Sequence, residues 1–232
     1  MTRCSIVIET ALVRVKIERK EVFGDGDCGF HSLVLILNAF GAMKVPHTKA
    51  MKAYLSSSPE ISHRIRFLRQ QLQYYCDSGA MITPKVHYSK FEAPYGRSPD
   101  KKKEEKSEVC KKTWISKEWL LDKAVQYFVV LYNIAIITLA FGDISQTPSC
   151  KYFAFMYLDN LCTHYEPVTV NGIFVFPIPE QCSFEVIGKP FAQVLTNINQ
   201  QDKVTYAYIP EGLWKLLIPS SLCSIVQCRH CS

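Results

Sequence analysis

The sequence predicts an α+β fold, an α/β sandwich in which a small central β-sheet packs between helices. An apolar segment at 28–40 and an amphipathic segment at 59–76 show helical spacing in the first half of the chain. Four short apolar segments in the second half are typical of buried strands: 134–141, 152–158, 164–170 and 173–178. Because helices come first and strands follow, we expect them to pack as layers around one core.

The elements have recognisable starts and ends. A β-prone start at 5–17 leads through a turn at 24–27 into the first helix, which we expect to end at Gly41. The apolar residues of the second helix recur at spacings of four, three and four, which leaves its arginines, Arg69 among them, for solvent. The aperiodic stretch at 79–112 contains three prolines and predicts a long loop or insertion.

Composition and charge indicate one folded domain. The chain has 232 residues, of which 48% are hydrophobic and 21% charged, so it is long enough to bury a core and too apolar to be disordered. Half of the net charge of +6 lies in 97–112, where seven basic residues alternate with four acidic ones. Because the acids interrupt the positive field, a solvated loop is favoured over a phosphate-binding patch, and nucleic acid is not an expected partner.

Residues 124–141 contain no charged residue or histidine and just reach the length of a membrane span. Polar residues interrupt this run and its pattern changes midway. A helix at 116–131 followed by the strand at 134–141 is therefore favoured, and we expect no membrane association.

The ten cysteines favour a reduced, intracellular and cytoplasmic setting, because the first residues lack the features of a secretion signal. Four soft ligands crowd into the last ten residues: Cys223, Cys228, His230 and Cys231. Zinc would accept such ligands, but three of them lie too close together for the usual paired geometry. We therefore expect no metal site.

The segment 24–33 places Cys28 at the start of the first helix, directly after a glycine-bearing turn. Helix N–H groups without intrahelical partners and the positive end of the helix dipole favour the thiolate. Gly24 and Gly26 let backbone amides approach a substrate and form an oxyanion hole, and Gly29 leaves the sulfur accessible. An inert cysteine before a buried helix would share this pattern, so the segment alone supports a catalytic and a structural role equally.

A nucleophilic cysteine needs a base, and His164 opens a predicted strand that also carries Glu166. Residues two apart on a strand share a face, with Cα atoms about 6.6 Å apart, so Glu166 can reach the imidazole and fix its tautomer. His31 lies close to Cys28 on the same helix but has no acid near it in sequence, and we expect a supporting or core role. The remaining histidines lie in surface-like contexts: His47, His63, His87 and His230.

Together the two segments resemble the ovarian-tumour (OTU) family of papain-related cysteine proteases, which cleave ubiquitin and related modifiers. The family's Asp-Gly-Asn-Cys loop corresponds here to Asp-Gly-Asp-Cys at 25–28, and its His-aromatic-acid strand to His-Tyr-Glu at 164–166. The intervening order also matches, with Trp114 opening a helix and two strands leading to the histidine. The resemblance divides the chain into an N-terminal extension, an OTU-like catalytic domain and a C-terminal extension that we expect to pack on the core: 1–14, 15–178 and 179–232.

The resemblance implies roles for particular residues. Cys28 would be the nucleophile, His164 the general base and then acid, and Asp25 the loop acid that supports the oxyanion region. Glu166 stands where relatives place Asp or Asn to orient the histidine. Residues beside the sulfur would form the oxyanion hole and the channel for a glycine tail: Gly26, Asp27, Gly29 and Tyr165.

Two departures from the family pattern bear on activity. Asp27 replaces the usual Asn, and its negative charge disfavours a thiolate unless it is paired, which leaves open an inactive module that binds ubiquitin without cutting it. Glu166 is one methylene longer than Asp, so Asp159 or Asn160 could orient the histidine in its place.

The resemblance also implies a substrate class. A member of the family would hydrolyse the bond after the C-terminal glycine of ubiquitin, polyubiquitin or ubiquitin-like modifiers, with no metal or organic cofactor. The compact plan would suit a viral protease that acts in the host cytoplasm against ubiquitin signalling.

Overall fold

The computed structural model describes most of the predicted core. The described residues are 11–24, 26–77, 87–90, 125–139, 143–146, 150–158, 164–180, 182–184, 188, 191 and 202–218. Several predicted features lie outside them: the loop acid Asp25, the basic segment at 97–112, Trp114, the alternative orienting residues Asp159 and Asn160, and the cluster at 223–231.

The described helices include the two that the sequence predicts most clearly. Helix α1 (Cys28–Gly41) and helix α3 (Ile61–Asp77) lie within two residues of the expected bounds. Helix α4 (Val125–Tyr132) falls at the end of the segment predicted as a helix at 116–131. Two further helices were not predicted: α2 (Lys49–Ser56) and α5 (Glu211–Leu217).

The strands form one mixed sheet of eight strands. They are β1 (Leu12–Arg19), β2 (His87–Lys90), β3 (Ile134–Thr138), β4 (Asp143–Gln146), β5 (Tyr152–Leu158), β6 (Tyr165–Val170), β7 (Val175–Pro177) and β8 (Val204–Pro210). The order is β2-β4-β3-β5-β6-β1-β8, with β7 paired to β5. Strands β3 and β5 run parallel, whereas the other pairs are antiparallel. The mixed α+β class is confirmed, but the prediction of a small sheet is wrong.

The sheet is larger than predicted because a segment near each end of the described chain joins it. Strand β8 pairs with β1 from Leu12 opposite Pro210 to Glu18 opposite Val204. The sequence-derived boundary at residue 14 falls within β1. The N-terminal and C-terminal extensions therefore contribute neighbouring strands to the same sheet as the predicted catalytic domain.

An aromatic cluster joins the C-terminal segment to the core. The Phe153 and Phe176 rings stack with their centroids 5.4 Å apart, and Phe191 lies 5.4 Å from Phe176. Phe191 also approaches Trp214 of α5, with 6.4 Å between centroids. Burial of several large rings at one place removes much apolar surface from water, which favours folding of the two regions as a unit.

One face of the sheet is open to solvent at the β1–β8 end. Alternate residues of these strands point to opposite faces, so that Val15 and Ile209 are buried while Leu12, Tyr206 and Tyr208 are exposed. In the described part of the chain, the expected sandwich of helices on both faces therefore does not extend to this end of the sheet.

Gly41 is the last residue of α1, but its lack of a side chain serves helix packing and not a left-handed helix stop. The residue after it, Ala42, has ordinary right-handed geometry, whereas a Cβ atom on Gly41 would lie 2.6 Å from Leu55 Cδ2 of α2. The missing side chain thus permits close approach of α2.

The N-cap residue of α2, Thr48, connects α2 to α4. Its hydroxyl accepts a hydrogen bond from the Met51 backbone N–H at 3.1 Å and donates one to the Leu131 carbonyl at 2.8 Å.

Helix α1 carries the cysteine into the centre of the molecule. Its apolar residues are buried along nearly the whole helix, which packs against β6 and α3. Within the described part of the chain, no helix has the length and apolar character needed to cross a membrane.

Candidate active site

The turn before α1 requires a glycine at one position. Gly26 has a φ angle of +92°, in the left-handed region that residues with a Cβ rarely adopt, and no heavy atom lies within 4 Å of a Cβ built there. Backbone geometry rather than lack of space therefore selects glycine. Asp27 follows, and Cys28 is the first residue of the helix.

The Cys28 side chain points into the protein. Only 1% of the residue is exposed, and its carbonyl accepts a hydrogen bond from the Ser32 hydroxyl at 2.8 Å. The sulfur lies at the N-terminus of a helix of 14 residues, where the helix dipole favours negative charge. In this conformation the residue is almost fully shielded from solvent.

The fold brings Cys28 to the strand that follows His164. The backbone N–H of Tyr165 donates a hydrogen bond to Cys28 Sγ at 3.4 Å, within a buried environment. The two residues are 137 positions apart in sequence, and packing of α1 on β6 holds them together. An N–H group directed at sulfur stabilises negative charge on it. The sulfur therefore contacts the backbone of the residue that directly follows the predicted base in sequence.

His164 and Glu166 meet at the start of β6. His164 Nε2 lies 3.8 Å from Glu166 Oε1, which is within ion-pair range but longer than a hydrogen bond. The His164 side chain is 29% exposed and that of Glu166 only 8%. This proximity agrees with the strand geometry from which it was predicted, although β6 itself begins at Tyr165.

The second oxygen of the Glu166 carboxylate faces an arginine from β1. Glu166 Oε2 lies 3.4 Å from Arg19 Nε, and the Arg19 guanidinium stacks 4.2 Å from the centroid of the Tyr157 ring. A carboxylate with so little exposure needs partners of this kind, because burial of a lone charge is costly. The sequence analysis did not identify Arg19, and no local pattern marks it, since its partner lies on another strand.

Asp27 pairs with Arg69 of α3. The Arg69 guanidinium contacts the Asp27 carboxylate and also lies 4.8 Å from the centroid of the Phe30 ring. The expectation that Arg69 faces solvent is therefore wrong: it is partly buried between α1 and α3. The helical spacing predicted that Arg69 lies at the edge of the apolar face of α3. At that edge, attraction to the Asp27 carboxylate and not hydrophobicity determines where the Arg69 side chain lies. The negative charge of Asp27 is therefore paired with a cation. The sequence analysis required this pairing for a thiolate to be favoured beside Asp27.

Removal of the Arg69 charge is expected to slow the chemistry of the thiol. Arg69→Met keeps an apolar stem near Phe30 but leaves the Asp27 carboxylate without its partner cation. We expect Cys28 to be alkylated by iodoacetamide roughly 3-fold to 10-fold more slowly at neutral pH, because negative charge nearby disfavours the thiolate. The rate is measured by mass spectrometry of the Cys28 peptide.

Two further variants separate charge from packing. Asp27→Asn in the Arg69→Met background should restore the alkylation rate, and Arg66→Met, at an exposed position of the same helix, should leave it unchanged. A double variant as slow as Arg69→Met alone would contradict the charge explanation.

Three of the described histidines contact other groups. The His31 ring packs against Phe23, with 5.8 Å between centroids, which agrees with a supporting position next to the loop. His47 lies 3.3 Å from the Phe40 carbonyl, and His63 lies 3.1 Å from Glu60 on the surface. Among the histidines whose side chains the structure describes, only His164 lies beside a buried acid on the strand that contacts Cys28.

Two other residues that the resemblance assigns to the site are buried. Gly29 is buried in the first turn of α1, and the Tyr165 ring is buried in β6. Among the described residues, no group of three or more His, Cys, Asp or Glu side chains could hold a metal ion. The arrangement can supply a nucleophile, a base and an orienting acid.

No protein-family model matches the chain, and no curated protein or solved structure matches it either.

Proposed function

We propose that this protein is a deubiquitinating cysteine protease of the OTU type, which hydrolyses peptide or isopeptide bonds after the C-terminal glycine of ubiquitin or a ubiquitin-like modifier. One observation carries the proposal: the fold joins Cys28 Sγ, at a helix N-terminus, to the backbone N–H of the residue that follows His164. This contact supports the proposal because it brings the thiol to the backbone next to a histidine that is remote in sequence, and the proposed proton transfer would take place between the two side chains.

In the proposed mechanism, the Cys28 thiol gives its proton to His164 and the thiolate attacks the carbonyl carbon of the terminal glycine. The tetrahedral intermediate collapses as the imidazolium protonates the departing lysine amine, and a thioester remains on Cys28. His164 then takes a proton from water, whose oxygen attacks the thioester. The thiolate leaves, is reprotonated, and the modifier is released with a carboxylate end.

The contacts of His164 assign a role to each ring nitrogen. Because Nε2 faces Glu166, we assign proton exchange with Cys28 to Nδ1. The carboxylate favours the tautomer that carries hydrogen on Nε2, and it stabilises the imidazolium formed during the reaction. Backbone N–H groups of the 25–28 loop would hold the oxyanion, and the left-handed turn at Gly26 would direct them toward it.

The burial of Cys28 supports a substrate that ends in glycines. A sulfur in a residue that is 1% exposed is reached most easily by an extended chain without side chains near its end. Ubiquitin and many related modifiers end in a pair of glycines, so their tails meet this steric requirement.

The test is a reaction with ubiquitin that carries an electrophile in place of its C-terminal carboxylate. We expect one covalent adduct, located at Cys28 by mass spectrometry, and hydrolysis of ubiquitin chains by the same preparation. A parallel probe built on a ubiquitin-like modifier with the same glycine pair compares the two substrate classes. Binding of ubiquitin without adduct or turnover would instead identify an inactive binding module and would overturn the proposal.

A further inference from the structure

Arg19, Tyr157 and Glu166 occupy one face of three neighbouring strands. Arg19 lies opposite Val168 in the β1–β6 ladder, and Tyr157 lies opposite Glu166 in the β5–β6 ladder. Residues directly opposite each other share a face, as do residues two apart on one strand. The sheet register therefore places the Arg19, Tyr157 and Glu166 side chains together, next to His164.

The Glu166 carboxylate bridges two cations or potential cations. Its Oε1 atom lies 3.8 Å from His164 Nε2, and its Oε2 atom lies 3.4 Å from Arg19 Nε. The two contacts use different oxygens, so they do not compete. This ion pair favours orientations of the carboxylate that keep Oε2 toward the guanidinium and Oε1 toward the imidazole.

A glutamate needs such an anchor more than an aspartate would. The additional methylene of Glu166 adds a rotatable bond, and each rotatable bond that must be fixed has an entropic cost. The Arg19 guanidinium is itself restrained, because it stacks 4.2 Å from the Tyr157 ring centroid and its side chain is only 15% exposed. A restrained cation therefore holds the longer acid in one orientation.

We propose that Arg19 is a positioning residue that acts on His164 through Glu166. It fixes the carboxylate so that the Nε2–H tautomer of the imidazole is favoured and Nδ1 faces the sulfur. The catalytic consequence rests on the proposed function, whereas the effect on the tautomer does not. The proposal assigns Arg19 no direct contact with the thiol or the substrate.

The kinetic test uses Arg19→Met and hydrolysis of a ubiquitin C-terminal amide substrate. We expect kcat to fall roughly 10-fold to 100-fold with KM unchanged, because the base is misoriented while substrate binding is intact. Arg19→Lys, which keeps the charge but not the planar stacking group, should recover part of the loss. Wild-type kcat in Arg19→Met would overturn the proposal.

A matched control lies on the same strand. Arg14 also stacks on a tyrosine, with 3.9 Å from its guanidinium carbon to the Tyr206 ring centroid, but on the open face of the sheet. Arg14→Met should therefore leave kcat unchanged. In a Glu166→Gln background, Arg19→Met should cause no further fall in kcat, because the residue through which it acts has already been changed. A full additional loss would show that Arg19 acts by another route.

A second readout does not depend on substrate. The two nitrogens of a neutral imidazole give distinct ¹⁵N resonances according to which one carries hydrogen, and those of His164 are assigned by their loss in His164→Gln. We expect a single Nε2–H tautomer in the wild type and in Arg14→Met, and a mixture of tautomers in Arg19→Met. An unchanged tautomer in Arg19→Met overturns the proposal. A protein inactive toward ubiquitin whose tautomer changes as expected overturns the proposed function alone.

Discussion

Cys28→Ala is expected to abolish both adduct formation with the ubiquitin probe and hydrolysis of ubiquitin chains. The loss of turnover should be about 10⁴-fold or more, because in the proposed mechanism the sulfur forms the covalent intermediate. The variant also removes the acceptor of the Tyr165 N–H bond, so its folding must be checked by thermal unfolding. Rates are compared at equal concentrations of folded protein.

A second cysteine provides the control for this experiment. Cys150 is also buried, close to the start of β5, and Cys150→Ala should retain both adduct formation and turnover. Cys28→Ser, which keeps a hydrogen-bonding atom beside the Tyr165 N–H, should fold like the wild type and still fail to turn over chains. Full turnover by a folded Cys28→Ala variant would eliminate the thiol mechanism.

His164→Ala is expected to lower turnover by roughly 10³-fold to 10⁴-fold with intact folding. Without the imidazole, the thiol lacks the base that takes its proton and the departing amine lacks an acid. Turnover of a ubiquitin C-terminal amide, measured at equal concentrations of folded protein, checks the size of this effect.

Two neighbouring residues test the specificity of the His164 result. His31→Gln changes the other histidine near Cys28 and should have a much smaller effect, because its ring packs against Phe23. Glu166→Ala should also cost less than His164→Ala, since an acid that orients the base can be lost while the base remains. If His31→Gln were the inactive variant and His164→Ala the active one, the base would be His31.

Local patterns in the sequence were sufficient to predict the elements that carry the proposed nucleophile and base. Helix α1 has a clear turn before it and a continuous apolar pattern, and β5 has the bounds expected from its apolar run. The contact between His164 and Glu166 follows from the two-residue period of a strand. These features depend on residues close together in the chain, which is why a sequence alone can reveal them.

The supporting charges could not be predicted in the same way. Arg19 and Arg69 contact acids that lie far from them in sequence, and neither hydrophobic periodicity nor turn chemistry reports such pairs. Arg69 illustrates the error: its helical position predicted exposure to solvent, yet the acid directly before another helix pairs with it. The addition of β8 to β1 was missed for the same reason, because strand partners are chosen by the whole fold.

The pairing of β1 with both β6 and β8 has a consequence for biosynthesis. On the ribosome, β1 emerges before every other described strand, whereas its two partners emerge among the last. Its backbone donors and acceptors therefore stay without strand partners during most of translation, and contacts so distant in sequence form slowly. A nascent chain in this condition is exposed to pairing with other polypeptides, so chaperone protection until release would favour a high yield of native protein.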